Sequence, residues 1–235
     1  MSSPPPDPDP MNSDQIREDL CEVGRRVFQH GWVASNDGNF SVRLGSNEFL
    51  VTPTGVSKGF MKPEMMVRVD IEGNSIDGKG QVSSEWKMHR ISYQKREDIG
   101  AIVHTHCPHA TAFSVAGLAL DQAVLPEQIY TLGAIPLAPY GQPGTHDLYQ
   151  GMLPYIEKSN AFLLKNHGVV TYGKDLWEAF FSHEALEHAA RIQILARQVG
   201  KVETLKREQV DALHRARTEA GLDPHWIDCR CDDDD

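Results

Sequence analysis

The chain has 235 residues, 40% of them hydrophobic, enough to bury a full core. A formal net charge of −10 excludes broad binding to nucleic acid or to an anionic membrane, because either needs a basic face; a small anion held by local donors stays open. No apolar run is long enough to cross a bilayer, the Pro/Asp/Ser-rich residues 1–10 do not read as a signal peptide, and four scattered cysteines argue against a disulfide framework, so the cytoplasm is the expected compartment.

Residues 1–10 read as a disordered arm. Ile16, Leu20, Val23 and Val27 recur at helical spacing and stop at Gly31, which predicts a helix over 13–30. Short strands are expected at 40–43 and 48–52, and Val67 to Ile71 alternates as a half-exposed strand does, with a turn at Asp77-Gly78. A second helix is predicted over 84–96, then a strand running into His104 and a third helix at 108–115 ending near Gly117. A short strand at 135–137, a helix at 147–158, strands at 161–164 and 169–172, and a long helix capped by Asp175 and running to Val199 complete the pattern. Helices and strands interleave without a repeat, so the class is α/β in one domain, assigned to 11–228, with an acidic tail over 229–235.

The most informative residues are His104 and His106, at the end of the apolar run Ala101-Ile102-Val103. Strand side chains alternate, so the two imidazoles point the same way, one pleat apart. His167 ends a matching run, Ala161-Phe162-Leu163-Leu164 leading to Lys165-Asn166-His167-Gly168. Three neutral imidazoles with an open fourth position suit a catalytic zinc-type site; polar core or surface histidines are the alternative.

Three other motifs fail on context. Gly73 to Lys79 matches the start of a phosphate-binding loop, but Gly80 replaces the needed Ser/Thr, and a hairpin loop explains it better. Gly55-Val56-Ser57-Lys58-Gly59 fits a nucleophile elbow, yet Pro53 and Pro63 break the strand and helix it requires. His183 and His188 lie five apart, about 140° around a helix, so they do not chelate together and are expected as solvated or intersubunit residues. Gly38-Asn39, Thr54-Gly55 and Ser83-Ser84 each offer small polar side chains and backbone N–H groups, and Ser83-Ser84 opens a predicted helix whose N-terminus favours an anion; each is also an ordinary turn or cap. Glu85 beside them is placed for acid/base work or for stabilising the helix dipole.

Taken together, Gly38-Asn39-Phe40-Ser41-Val42-Arg43, Thr52-Pro53-Thr54-Gly55, Ser83-Ser84-Glu85, His104-Thr105-His106, Ala138-Pro139-Tyr140 with Gly144-Thr145, and Asn166-His167-Gly168 resemble the class II aldolase/adducin-head family over residues 16–199. The resemblance implies a three-layer domain with a central, mainly antiparallel sheet, assembled as a homotetramer. It implies that His104, His106 and His167 hold a divalent metal, usually zinc, that Glu85 is the acid/base, and that Asn39, Thr54, Gly55, Ser83 and Ser84 bind a substrate phosphate. The implied reaction cleaves a fuculose-phosphate-like ketose 1-phosphate to dihydroxyacetone phosphate and an aldehyde. A 4-epimerase or dehydratase on the same scaffold, or a non-catalytic adducin-like interaction module, are the alternatives. The chain departs from the aldolases of this family where Asn36-Asp37 replaces a helper threonine and where their C-terminal helper tyrosine has no match; Glu127, otherwise a plain surface carboxylate, is the candidate substitute.

Overall fold

The computed structural model describes residues 10–78 and 80–231. The expected arm at 1–9, Lys79 and Asp232 to Asp235 lie outside the described residues. Helix α1 (Pro10–Gln29) buries Leu20, Val23 and Val27 completely, each worth roughly 1.5–3 kcal/mol of transfer free energy. Strands β1 (Asn39–Gly45) and β2 (Glu48–Val51) form a hairpin, and β3 (Val67–Val69) and β4 (Ser75–Asp77) extend it. Helix α2 (Trp86–Lys95), strand β5 (Ala101–Thr105) and helices α3 (Pro108–Ala116) and α4 (Pro126–Thr131) follow. Strand β6 (Leu137–Ala138), helix α5 (His146–Ile156), strands β7 (Ala161–Leu164) and β8 (Gly168–Gly173), and helices α6 (Leu176–Val199) and α7 (Arg207–Glu219) complete the order.

The strands make one eight-stranded sheet in the order β4-β3-β2-β1-β5-β8-β7-β6, antiparallel except for β6 on β7. Strand alternation divides the core into two slabs. Phe40, Val42, Val103, Leu163 and Val169 face α1, α3 and α6, while Ile102, Phe162, Leu164, Val170 and Tyr172 face α2 and α5. This is the three-layer α/β domain expected. Alternation also decides the polar residues: Asn39 and Ser41 on β1 and His104 on β5 fall on the α2 side, whereas Thr105 falls on the α6 side and bonds His183 at 2.7 Å.

Several boundaries differ from the sequence reading for identifiable reasons. The β3–β4 hairpin turns at Asp70 to Asn74, not at Asp77-Gly78, because the Asp70 carboxylate accepts from the Asn74 backbone N–H at 2.8 Å and its side-chain amide at 2.9 Å. Helix α2 starts at Trp86 rather than at Ser84, leaving Glu85 at the N-cap position. Pro136 has no N–H, so Ile135 makes only an isolated bridge to Leu120 and the strand proper is Leu137–Ala138. His188 is exposed, but His183 is buried within the chain, contrary to the expectation of a solvated or intersubunit residue, and so is Glu187. Glu187 on α6 accepts the backbone N–H groups of His109 and Ala110 and so caps α3. The expected tail is not free at its start: Cys229 and Cys231 pack with Ala123, Ile129, Ala134 and Val210 in a small core between α4 and α7. Neither of those helices is anticipated in the sequence reading.

Candidate metal centre

Strand β5 delivers His104, the residue just past its end delivers His106, and the tight β7–β8 connection delivers His167. That connection turns through Asn166, whose φ of 56° is left-handed, a conformation Asn tolerates better than most residues. Two glycines make the approach of these segments sterically possible. A Cβ on Gly168 would stand 2.5 Å from Thr105 O and 2.7 Å from His106 Cδ2; one on Gly38, whose φ is +77°, would stand 2.9 Å from His104 O.

The three imidazoles converge, with one nitrogen from each lying within 4.8 Å of the others and ring centroids 4.8–5.1 Å apart. Two of the three second nitrogens are tied down, whereas His167 Nδ1 is buried without a partner. His104 Nδ1–H donates to Val169 O at 2.8 Å, and His106 Nδ1 faces Asp37 Oδ2 at 3.3 Å. In these two rings, His104 and His106, the outer contact takes the hydrogen and turns the Nε2 lone pair inward. Asp37, met in the sequence as a change in the phosphate cradle, is therefore a carboxylate that orients a histidine. Burial holds His104 neutral, its pKa well below the usual histidine value despite the pull of Glu85, and the same cause lowers His106.

Glu85 closes the group. Its Oε1 is 3.1 Å from His167 Nε2 and its Oε2 is 3.5 Å from His104 Nε2. Burial pushes its pKa up, but the hydrogen bonds from His167 and the amide of Asn39 oppose that and hold the carboxyl below the usual range. His104 Nε2 and His106 Nε2 are buried without a hydrogen-bond partner, as is His167 Nδ1. Unpaired buried polar atoms are costly, so inward nitrogens of His104 and His106 without a partner, in a group where one nitrogen of each of the three histidines lies within 4.8 Å of the others, fit a cation that would coordinate such donors.

The expected phosphate residues lie around this group. Thr54 N donates to Gln81 O at 2.9 Å, which brings Thr54 and Gly55 alongside the segment carrying Ser83 and Ser84. Ser84 and Thr54 are exposed, Ser83 Oγ accepts from Glu85 N at 3.2 Å, and Gly144 before α5 lies 3.6 Å from Ser84 Oγ when measured to a Cβ built on the glycine. Asn39 is almost fully buried and its carboxamide is directed at Glu85 and His89. Glu127 stands exposed in the first turn of α4, with no side-chain hydrogen bond to the histidines among the described residues.

Two residues here go unnoticed in the sequence. His89 follows Glu85 by four positions, one helical turn, and shares Asn39 with it; that spacing was the available signal. Lys58, fully buried, donates from Nζ to Asn36 O at 3.1 Å and Val56 O at 2.9 Å, so its ammonium joins the loop of Asp37 and Gly38 to that of Thr54 and Gly55. Burial lowers its pKa to about 8, with Asp37 opposing.

The family described as Class II Aldolase and Adducin N-terminal domain matches the chain over residues 18–194. The chain belongs to this family. It is 37% identical over 177 residues to an L-fuculose phosphate aldolase of Methanococcus maripaludis, covering 75% of this chain and 95% of that one. It is 35% identical over 180 residues to a 3-oxo-tetronate 4-phosphate decarboxylase of Haemophilus influenzae, covering 75% and 85%. Among solved structures, an L-fuculose 1-phosphate aldolase superposes with a TM-score of 0.79 at 29% identity, covering 87% of this chain and 96% of that chain. The protein is thus an enzyme of the class II aldolase type, a lyase in a metal-dependent family. No helix among the described residues is long and apolar enough to cross a membrane.

Proposed function

We propose that the protein is a zinc-dependent aldolase that reversibly cleaves a fuculose-phosphate-like ketose 1-phosphate to dihydroxyacetone phosphate and an aldehyde, working as a cytoplasmic homotetramer. The observation that carries this reading is the convergence of one nitrogen each from His104, His106 and His167, all within 4.8 Å of one another, beside the partly buried carboxylate of Glu85. Those histidines would hold the ion, which when bound supplies Lewis-acid stabilisation of charge developing on substrate oxygen. Thr54, Gly55, Ser83 and Ser84 bind the phosphate with hydroxyl and backbone N–H groups. Asn39 adds one N–H, the other hydrogen of its Nδ2 being given to Glu85. Fixing the phosphate orients the reacting carbon over Glu85, which adds or removes its proton. Glu127 is assigned the aldehyde-side proton on its position in Pro126-Glu127-Gln128 alone; the assignment requires that E127Q slow cleavage while sparing proton exchange at the other half.

A second reading is favoured by the decarboxylase relative. Loss of carbon dioxide from a 3-oxo-tetronate 4-phosphate leaves the same three-carbon carbanion as cleavage of a ketose 1-phosphate, and one proton converts it to dihydroxyacetone phosphate. Both reactions thus ask the same service of Glu85. The zinc-loaded protein should exchange a carbon-bound proton of dihydroxyacetone phosphate into heavy water, and E85Q should lose about 10²- to 10⁴-fold of that rate. Release of an aldehyde from fuculose 1-phosphate, against release of carbon dioxide from the oxo acid, then separates the two readings. Absence of exchange and of both cleavages would refute both.

A further inference from the structure

Behind Glu85 a line of buried polar groups runs back into the core. Asn39 Nδ2 donates to Glu85 Oε2 at 2.6 Å, Asn39 Oδ1 meets His89 Nε2 at 2.5 Å, His89 Nδ1 meets Ser41 Oγ at 2.6 Å, and Ser41 Oγ meets the Tyr93 hydroxyl at 2.8 Å. His89, Ser41 and Tyr93 are at most 2% exposed, so water does not stand in for a missing partner. Burial lowers the His89 pKa to about 4 against the pull of Glu85, leaving a neutral ring with a single N–H.

The polarity of the whole line follows from its Glu85 end. An ionised carboxylate only accepts, so the Asn39 amide turns Nδ2 toward it and Oδ1 away. Oδ1 then needs a donor, which puts the His89 hydrogen on Nε2. Nδ1 is left to accept the Ser41 hydroxyl hydrogen, and Tyr93 donates to Ser41. The reverse setting would press Asn39 Oδ1 against a carboxylate oxygen, two acceptors with no hydrogen between them.

We propose that His89 is a positioning residue for Glu85: its Nε2–H locks the Asn39 carboxamide, which pins Oε2 and leaves Oε1 directed into the histidine pocket toward the reacting carbon. The inference rests on the proton-transfer role proposed for Glu85 and adds a residue through which that role is set. His89 touches neither phosphate loop nor metal histidine through any hydrogen bond among the described residues; its effect passes through Asn39. Its loss should therefore lower the rate of proton transfer first, and raise KM to a smaller extent through the one N–H that Asn39 gives the phosphate.

The test uses dihydroxyacetone phosphate as probe, with exchange into heavy water followed by proton NMR on the zinc-loaded protein. H89F, which keeps the bulk and removes the N–H, should lower kcat for exchange about 10- to 100-fold, the usual effect of losing a group that orients a reacting side chain, with KM changed by less. H89Q, whose amide nitrogen reaches the place of Nε2, should recover most of the loss. In an N39A background H89F should have no further effect, because the two residues act in series. A multiplicative loss in the double variant, a change confined to KM, or no rescue by glutamine would overturn the proposal. Long-range proton–nitrogen spectra of the histidine-labelled wild type decide the same point without variants or turnover: the Nε2–H tautomer of His89 is required, and the Nδ1–H tautomer overturns it. A wild type that exchanges nothing would refute the functional reading, while the tautomer would still decide the arrangement of His89.

Discussion

Adding one methyl group at Gly168 should disable the metal centre without touching a ligand. Gly168 opens β8 directly after His167, and its φ lies outside the left-handed region, so alanine meets no backbone strain there. The obstacle is space: its Cβ would lie 2.5 Å from Thr105 O, 2.7 Å from His106 Cδ2 and 3.2 Å from His104 Cε1. The first contact falls about 0.8 Å short of the roughly 3.3 Å at which carbon meets a carbonyl oxygen. Thr105 O belongs to β5, held in register with β8 by the Thr105 to Val169 pairing, so it yields little. The hairpin carrying His167 must move away instead, beyond the about 0.5 Å that a functional constellation tolerates. Overpacking of this kind costs about 1–3 kcal/mol, or a fall in Tm of roughly 2–12 °C for a chain of this length. Zinc affinity should drop at least about tenfold, as for other disturbances around ligating histidines. Melting with and without a chelator, and zinc competition against a calibrated dye, measure the two effects. G200A is the control, since a Cβ there meets nothing within 4 Å. A G168A protein that matches wild type in both melting and zinc affinity would refute the argument.

Alanine in place of His104, His106 or His167 should each strip the ion, and elemental analysis finding a full complement in all three variants would contradict the centre. D37A should weaken zinc by about 10- to 100-fold while leaving the ligands in place, because His106 loses the carboxylate facing its Nδ1; unchanged affinity in the competition assay would remove Asp37 from that role. His183 gives a pH signature. Burial lowers its pKa from 6.5 to about 3, so the folded state binds its proton less readily than the unfolded state. Its contribution is complete above pH 6.5 and is lost as the pH falls toward 3, amounting to about 3 kcal/mol by pH 4. H183Q removes the titrating ring, so urea unfolding at pH 7 and pH 4 should find the gap between wild type and variant narrowing by about that amount on acidification. A gap independent of pH would refute the assignment.

What the sequence revealed and what it concealed follow from how far apart the interacting residues stand. His104 and His106 are legible because strand period alone puts them on one face, and His167 because it ends a second apolar run in the same way. The order of helices and strands is legible for the same reason, since burial of one face per element imposes a period. The groups that complete the centre have no period. Asn39 and Glu85 are 46 positions apart, Asn39 and His89 are 50, and Lys58 reaches Asn36 across 22. Each such contact exists only after segments distant in sequence have been packed together, β1 with α2 for Asn39 and the loops of Asn36 and Val56 for Lys58, so neither composition nor local spacing announces it. His183 shows the converse hazard. Read by its motif it belonged with surface residues, yet its place beside Phe180 and Leu186 on the apolar side of α6 made it a core residue, and Thr105 and Thr171 supply the partners that burial demands. Thr105 alternates out of phase with His104, so the strand that turns His104 toward the candidate metal centre turns this threonine toward α6, and one pleat serves both that centre and the helix behind it.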